Sequence, residues 1–350
     1  MSSNDFITTI IGASIGVILK DCIFKLWHDY RTRKATLGVI YSRYADPLSS
    51  SAVSLMWRIH EALAEPGRGR FLKLVGTPAT ANKYSTFGTY KKLSTLYRLA
   101  VLLGWLRACR REFSYLKIAA PDELQPIESA IDKFEASLAD GPDVETRRLT
   151  ELCALWGLQP PTNQNKLSSI AVDLETAIDD CMQVIGIDEI GLMTDPQKSI
   201  LVDCAAKAIT GTLKLQNIQP AILQESLSRA IQIIDIKEAW IYRDWQSAIG
   251  DLMLKPLEGV ERRFDVIGFN EFESMCTNGT EEQKKWISRL SAVFDDIDLS
   301  KQDPYDHRPN QLKAMLYATA SLIKALSTCI KSTNISQKSL ELATKILETT

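Results

Sequence analysis

Arg243, Gln246 and Gly250 stand at i, i+3 and i+7, with Met253 one turn further on. On a helix of roughly 3.6 residues per turn, that spacing puts a guanidinium, a carboxamide and a bare backbone on one face. Such a face can line a small-ligand pocket, but more commonly it joins two packed helices through a buried polar network. Tyr97, Gly104 and Arg111 recur at intervals of seven, again near one face, with Arg107, Arg110 and Glu112 beside them. Gly104 lets a second backbone approach next to Trp105, and Arg111 and Glu112 can satisfy buried polar groups. Arg107, Arg111, Arg243 and Gln246 are therefore the candidate ligand-binding residues.

Other constellations are thinner. Asp303, Asp306 and His307 in DPYDHRP offer oxygen and imidazole ligands, but a polar entry to the helix after Pro309 explains the same residues. Asp295, Asp296 and Asp298 resemble an acidic metal patch, yet also fit a solvated acidic edge near a helix C-terminus, where acids oppose the helix dipole. The three histidines, His28, His60 and His307, are far apart, which speaks against a zinc site built on His. Seven scattered cysteines make no C-x-x-C pair and read as small core residues in a reducing compartment. No phosphate-loop, dinucleotide, nucleophile-elbow or kinase motif occurs, so no reaction, metal or cofactor is assigned.

The elements that must position these residues are helices. Asp46-Pro47 reads as an N-cap with Pro at the first helical position, opening a helix to Ala64. A long helix follows over about 89–118, then helices over 127–139, 143–156, 166–185, 196–215, 219–254 (one helix or two), 281–297, 309–331 and 336–348. Strand-like alternation is rare, and Phe264–Phe272 is where a short hairpin can form. The expected fold is all-α: a multi-helix bundle with an N-terminal hydrophobic helix and at most one β-hairpin. Gly157–Asn165 (GLQPPTNQN) is either a domain border or a rigid connection, giving a basic region over 35–157 and an acidic one over 158–350, or one continuous domain.

The net charge of −2 hides an asymmetry: residues 1–118 carry 18 basic and 7 acidic side chains, and residues 119–350 carry 23 and 36. Phe6–Leu19 is free of charge, and a helix extended to Trp27 reaches about 33 Å, enough to span a bilayer. Arg31, Arg33 and Lys34 follow, which orients residues 28–350 to the cytoplasm. Residues 1–34 are thus expected to be a single-pass membrane anchor with a basic flank and a Trp27 interface, with Gly12 and Gly16 a dimerisation surface. The alternative is a buried helix of a soluble cytoplasmic protein. The basic excess (Arg68, Arg70, Lys73, Lys91, Lys92, Arg107, Arg110 and Arg111) fits an anionic membrane surface, or the chain's own acidic half. Nucleic acid is the weaker partner, since no nucleic-acid motif accompanies the charge.

Four blocks carry a resemblance. They are Tyr44-Ala45-Asp46-Pro47-Leu48 with Ala52, Leu55 and Arg58; Ser94-Thr95-Leu96-Tyr97 with Gly104-Trp105 and Arg110-Arg111-Glu112; Arg243-Asp244 with Gln246, Ile249-Gly250, Met253, Ile267-Gly268-Phe269 and Phe272; and Arg308 with Gln311-Leu312. The set resembles a family of uncharacterised, often membrane-anchored helical proteins from bacteria and other microbes. Trp245 departs from it, standing where a polar residue is expected. The family has no established activity, so the resemblance implies an anchor and a helical body but no mechanism. The expectation is a membrane-tethered binding, scaffold or sensor protein. The alternatives are a small-ligand receptor or enzyme around Arg243 and Gln246, and a soluble nucleic-acid-binding module.

Overall fold

A computed structural model describes residues 43–65, 67–74, 86–116, 125–139, 144–187, 190–258, 262–301, 303–330 and 333–349. Helix α1 covers 43–64 and is followed by a 3-10 turn, Arg68–Lys73. Then come α2 (Thr86–Leu116), α3 (Gln125–Ala139), α4 (Val144–Leu155), α5 (Gln164–Ile185), α6 (Asp195–Leu213), α7 (Pro220–Ile234) and α8 (Arg243–Met253). Strands β1 (Leu254–Pro256) and β2 (Phe264–Val266) precede α9 (Phe269–Asn278), α10 (Glu281–Ala292), α11 (Arg308–Cys329) and α12 (Gln337–Glu348). The chain is thus all-α with one two-stranded ladder among the described residues. The expected anchor over 6–27, with Gly12, Gly16, Trp27, Arg31, Arg33 and Lys34, lies outside the described residues. Within them, no helix is long and apolar enough to cross a membrane.

Two compact units emerge. The first takes the described residues through Ser137, then Ile241–Asp298 and those from Leu312 onward; the second takes Leu138–Trp240 and Leu299–Gln311. Gly157–Asn165 falls inside the second unit, joining α4 to α5.

In the first unit α2 is the central helix. Leu96, Leu99, Leu102, Leu103 and Leu106 are all buried and point in several directions, as expected for a helix covered on most of its circumference. It packs along α8 and also meets the 3-10 turn, the ladder, α9 and α10. Helix α1 differs from expectation at its start. The chain is already helical at 43, and Asp46 caps nothing of its own, accepting instead from the Asn334 amide at 3.1 Å. Tyr44 and Leu48, both fully buried, hold the helix on through Pro47.

The ladder pairs Leu254 with Val266 and Pro256 with Phe264, antiparallel. Strand character ends sooner than expected, because Phe269, Phe272 and Cys276 follow the helical spacing i, i+3, i+7. Phe272 and Cys276 bury, and the Glu271 carboxylate accepts from the Gly268 amide at the helix start. Helix α10 likewise stops at Ala292, short of 297.

In the second unit α4 packs on α5, α5 on α6, α6 on α7, and α7 back on α4, closing a ring of four helices. Its core is aliphatic, with Leu149, Leu152, Leu174, Leu201, Ala205 and Ile209 at or near zero exposure. Gly186, at φ +73°, ends α5 in the left-handed conformation that favours glycine.

Candidate functional site

The face of α8 that carries Gln246, Ile249, Gly250 and Met253 is buried, in keeping with their spacing. It lies against α2 so closely that a Cβ on Gly250 would sit 2.6 Å from the Arg107 Cβ and 3.0 Å from the Leu103 carbonyl oxygen. Gly104 answers from α2, where a Cβ would meet the Met253 Cβ at 2.9 Å. Two glycines, one on each helix, thus set the spacing of this seam.

Charge at the seam is closed on itself. Arg107 grips Asp251 with two parallel bonds, Nε to Oδ1 at 2.6 Å and Nη2 to Oδ2 at 2.9 Å. Arg111 adds a third contact to Oδ1 at 2.9 Å. Burial works against ionisation of Asp251, but the hydrogen bonds and charges of the two arginines outweigh it and hold the carboxyl below its ordinary value. Gln246 donates through Nε2 to the carbonyls of Glu135 (2.8 Å) and Ile241 (2.7 Å), while its buried Oε1 accepts from none of the described residues. Arg243 lies half exposed at the start of α8, 3.5 Å from the Glu135 carboxylate, which also takes Arg110 at 2.6 Å. Burial raises Glu135, and Arg110 and Arg243 oppose the rise. All four candidate residues therefore belong to the first unit. Arg107 and Arg111 meet at Asp251, whereas Arg243 and Gln246 meet at Glu135, through its carboxylate and its carbonyl.

Three of the four resemblance blocks lie in the same unit, mostly as packing groups, and Arg308 and Gln311 of the fourth lie in the second unit. Tyr44 donates to Glu112 at 3.3 Å and stands edge-on to Trp105, and burial together with the Glu112 charge pushes its hydroxyl up to about 12. Tyr97 donates to the Ile267 carbonyl at 3.1 Å and packs on Phe269 and Phe272. Gln311, in the second unit, bonds the Ala239 carbonyl at 2.6 Å.

The acidic run after α10 supplies counter-ions. Asp295 accepts from Lys92, whose side chain is 3% exposed, and Asp298 pairs with Lys73 at 2.7 Å. Part of the basic excess of the first third is thus neutralised within the unit by acids from the second half of the chain. In the second unit Asp303 and Asp306 form local turns, accepting from the amides of Tyr305 (2.9 Å) and Arg308 (3.1 Å). Asp306 also binds the Arg308 guanidinium, and His307 Nε2 accepts from Arg147 at 2.5 Å. Burial, then the Arg147 charge, lowers the His307 pKa. No cluster of potential metal ligands occurs among the described residues. Burial pushes the thiols of Cys109, Cys153, Cys181 and Cys276 up, which suits core packing and not nucleophilic chemistry.

A surface feature escaped the sequence reading except as the Trp245 departure. Tyr242 stands edge-on to Trp245 at 4.8 Å, Trp245 lies 6.5 Å from Trp286, and Arg289 sits over the Trp245 ring at 3.9 Å. Lys285 covers Trp286 at 5.0 Å, and Tyr242 is half exposed. Helices α8 and α10 pack together and so bring this ladder into one patch. Neither a family model, nor a curated protein, nor a solved structure matches this chain.

Proposed function

We propose that this chain is a membrane-tethered helical protein that works by binding, as a scaffold or sensor on the cytoplasmic face. The supporting observation is the ladder of Tyr242, Trp245 and Trp286 faced by Arg289 and Lys285. Trp, Tyr and Arg carry most of the energy at recognition surfaces, because they bring large rigid area and a polar handle. The apolar stretch over 6–27, its basic flank and the family resemblance supply the tether in this reading. The test is fractionation of the full-length protein beside a version lacking residues 1–27. The full chain is expected to sediment with membranes and resist alkaline carbonate, and the shortened one to stay in solution. Complete extraction of the full chain by carbonate would defeat the tether.

A second reading places a small-ligand or enzyme site at Arg243 and Gln246. The buried Oε1 of Gln246, which accepts from none of the described residues, favours it, and the closure of Arg107 and Arg111 on Asp251 weighs against it. In that case Arg243→Ala would abolish a ligand-induced thermal shift while leaving the basal melting temperature in place.

A further inference from the structure

Between α1, the 3-10 turn and the start of α2 the first unit opens a cleft of about 500 Å³, within the range of small-molecule sites. Phe71, Leu74 and Phe87 give it apolar walls, and Arg68, Arg70 and Lys91 line it with cations. Phe87 is 70% exposed, with the Lys91 ammonium 5.7 Å from its ring centroid.

The charge around this cleft is unbalanced. Glu61 is already held by Lys91 at 2.8 Å and lies 3.7 Å from Arg58. Arg68 has an exposed partner in Glu65, the kind of surface pair that a stronger anion can displace. Arg70 makes no ion pair among the described residues. Beneath the cleft, Arg58 is buried with its guanidinium 5.8 Å over the Phe71 ring, and its Nε has no hydrogen-bond partner among the described residues. Arg98 lies near enough that the Arg58 charge, after burial, lowers its pKa, so the cations crowd one another.

We propose that this cleft binds an organic anion, a phosphate or carboxylate head carried on an apolar ring or chain. The head lies at Arg68 and Arg70, and the apolar body lies against Phe71, Leu74 and Phe87. Such a ligand comes either from an anionic lipid or from a soluble organic phosphate. The inference adds a ligand class to the binding role proposed above and does not depend on the tether.

The full-length chain, in phosphatidylcholine nanodiscs or, if it does not insert, free in buffer, is titrated calorimetrically with 1-naphthyl phosphate, inorganic phosphate and 1-naphthol, with empty discs or buffer as the reference. Naphthyl phosphate is expected to bind at least about tenfold more tightly than either half-ligand, and less tightly as salt is added. Arg70→Glu is expected to weaken it by about tenfold or more, and Phe87→Ala by about threefold to tenfold. Both side chains are exposed, so both variants should melt with the wild type. Discs containing phosphatidic acid identify the source: suppressed naphthyl phosphate binding points to a lipid head group, and unchanged binding to a soluble ligand. Inorganic phosphate binding as well as naphthyl phosphate would overturn the proposal, as would undiminished affinity in Arg70→Glu. A protein that sediments with membranes but ignores naphthyl phosphate would lose the cleft and keep the tether.

Discussion

Replacing Gly250 by alanine tests whether the α2–α8 seam is set by its glycines. In a helix interior the change would ordinarily stabilise by about 1 kcal/mol, because glycine gives up more backbone freedom on folding. Here the new methyl would lie 2.6 Å from the Arg107 Cβ and 3.0 Å from the Leu103 carbonyl, both rigid atoms of the facing helix. Neither can swing aside as a flexible side-chain end could, so the two helices must separate. Overpacking of a tight core costs about 1–3 kcal/mol and sometimes more. Separation also lengthens the paired bonds of Arg107 to Asp251. The expected net is a loss of about 1–2 kcal/mol, or a melting temperature lower by about 2–8 °C in a unit of this size. The control is Gly211→Ala in α6, where a Cβ would meet nothing within 4 Å. That variant should be unchanged or stabilised by up to about 1 kcal/mol. Thermal and urea unfolding followed by circular dichroism measure both. A Gly250→Ala protein as stable as the wild type would refute the reasoning.

Other outcomes follow from the same geometry. Asp251→Ala leaves Arg107 and Arg111 facing each other without a counter-ion and is expected to destabilise by about 1–3 kcal/mol in urea titration. Because the folded Asp251 pKa is depressed, its contribution is present above the unfolded carboxyl value and fades as pH falls through the folded one, so wild type and Asp251→Asn should converge in strongly acid buffer. Lys92→Ala removes a buried ammonium from Asp295 and from the Leu74 carbonyl and is expected to cost about 3–5 kcal/mol by denaturant unfolding. In the second unit, burial raises Glu238, the Trp240 indole opposing it, so its contribution is complete below the unfolded carboxyl value and is lost as pH rises through the folded one. Glu238→Gln should therefore gain more over the wild type at pH 8 than at pH 4; an equal difference at both would exclude that burial effect.

Local signals account for most of the helices. Pro220 at the first position of α7 and the Thr280–Gln283 capping box of α10 are chain-adjacent events that a single sequence carries. The break between α7 and α8 is different. Ile236, Ala239 and Ile241 bury within a stretch that periodicity alone could continue as helix. What interrupts it is pairing with distant chain, since the Lys237 amide donates to the Tyr305 carbonyl at 2.7 Å and the His307 amide to the Lys237 carbonyl at 2.9 Å. The seam was half legible. Gly104 signalled close approach, whereas Arg107 and Arg111 read as candidates for a ligand or an anionic surface. That Asp251 is their partner depends on a contact spanning 144 positions, beyond the reach of any window. The same holds for the Trp245–Trp286 ladder, whose members are unremarkable until α8 and α10 meet.

Trp57 in α1 donates to Ser339 in α12 at 3.2 Å across 282 positions, and Asp46 takes the Asn334 amide across 288. During synthesis the second unit has all its residues once Gln311 has emerged. The first unit must wait, with α1 and α2 exposing apolar surface, until the last helices of this sequence leave the ribosome. So wide a spacing of contacts slows folding and prolongs exposure to aggregation. A chain arrested with Gln311 already outside the ribosome and Asn334 still inside therefore has one finished unit and one open one, a natural substrate for chaperones and proteases.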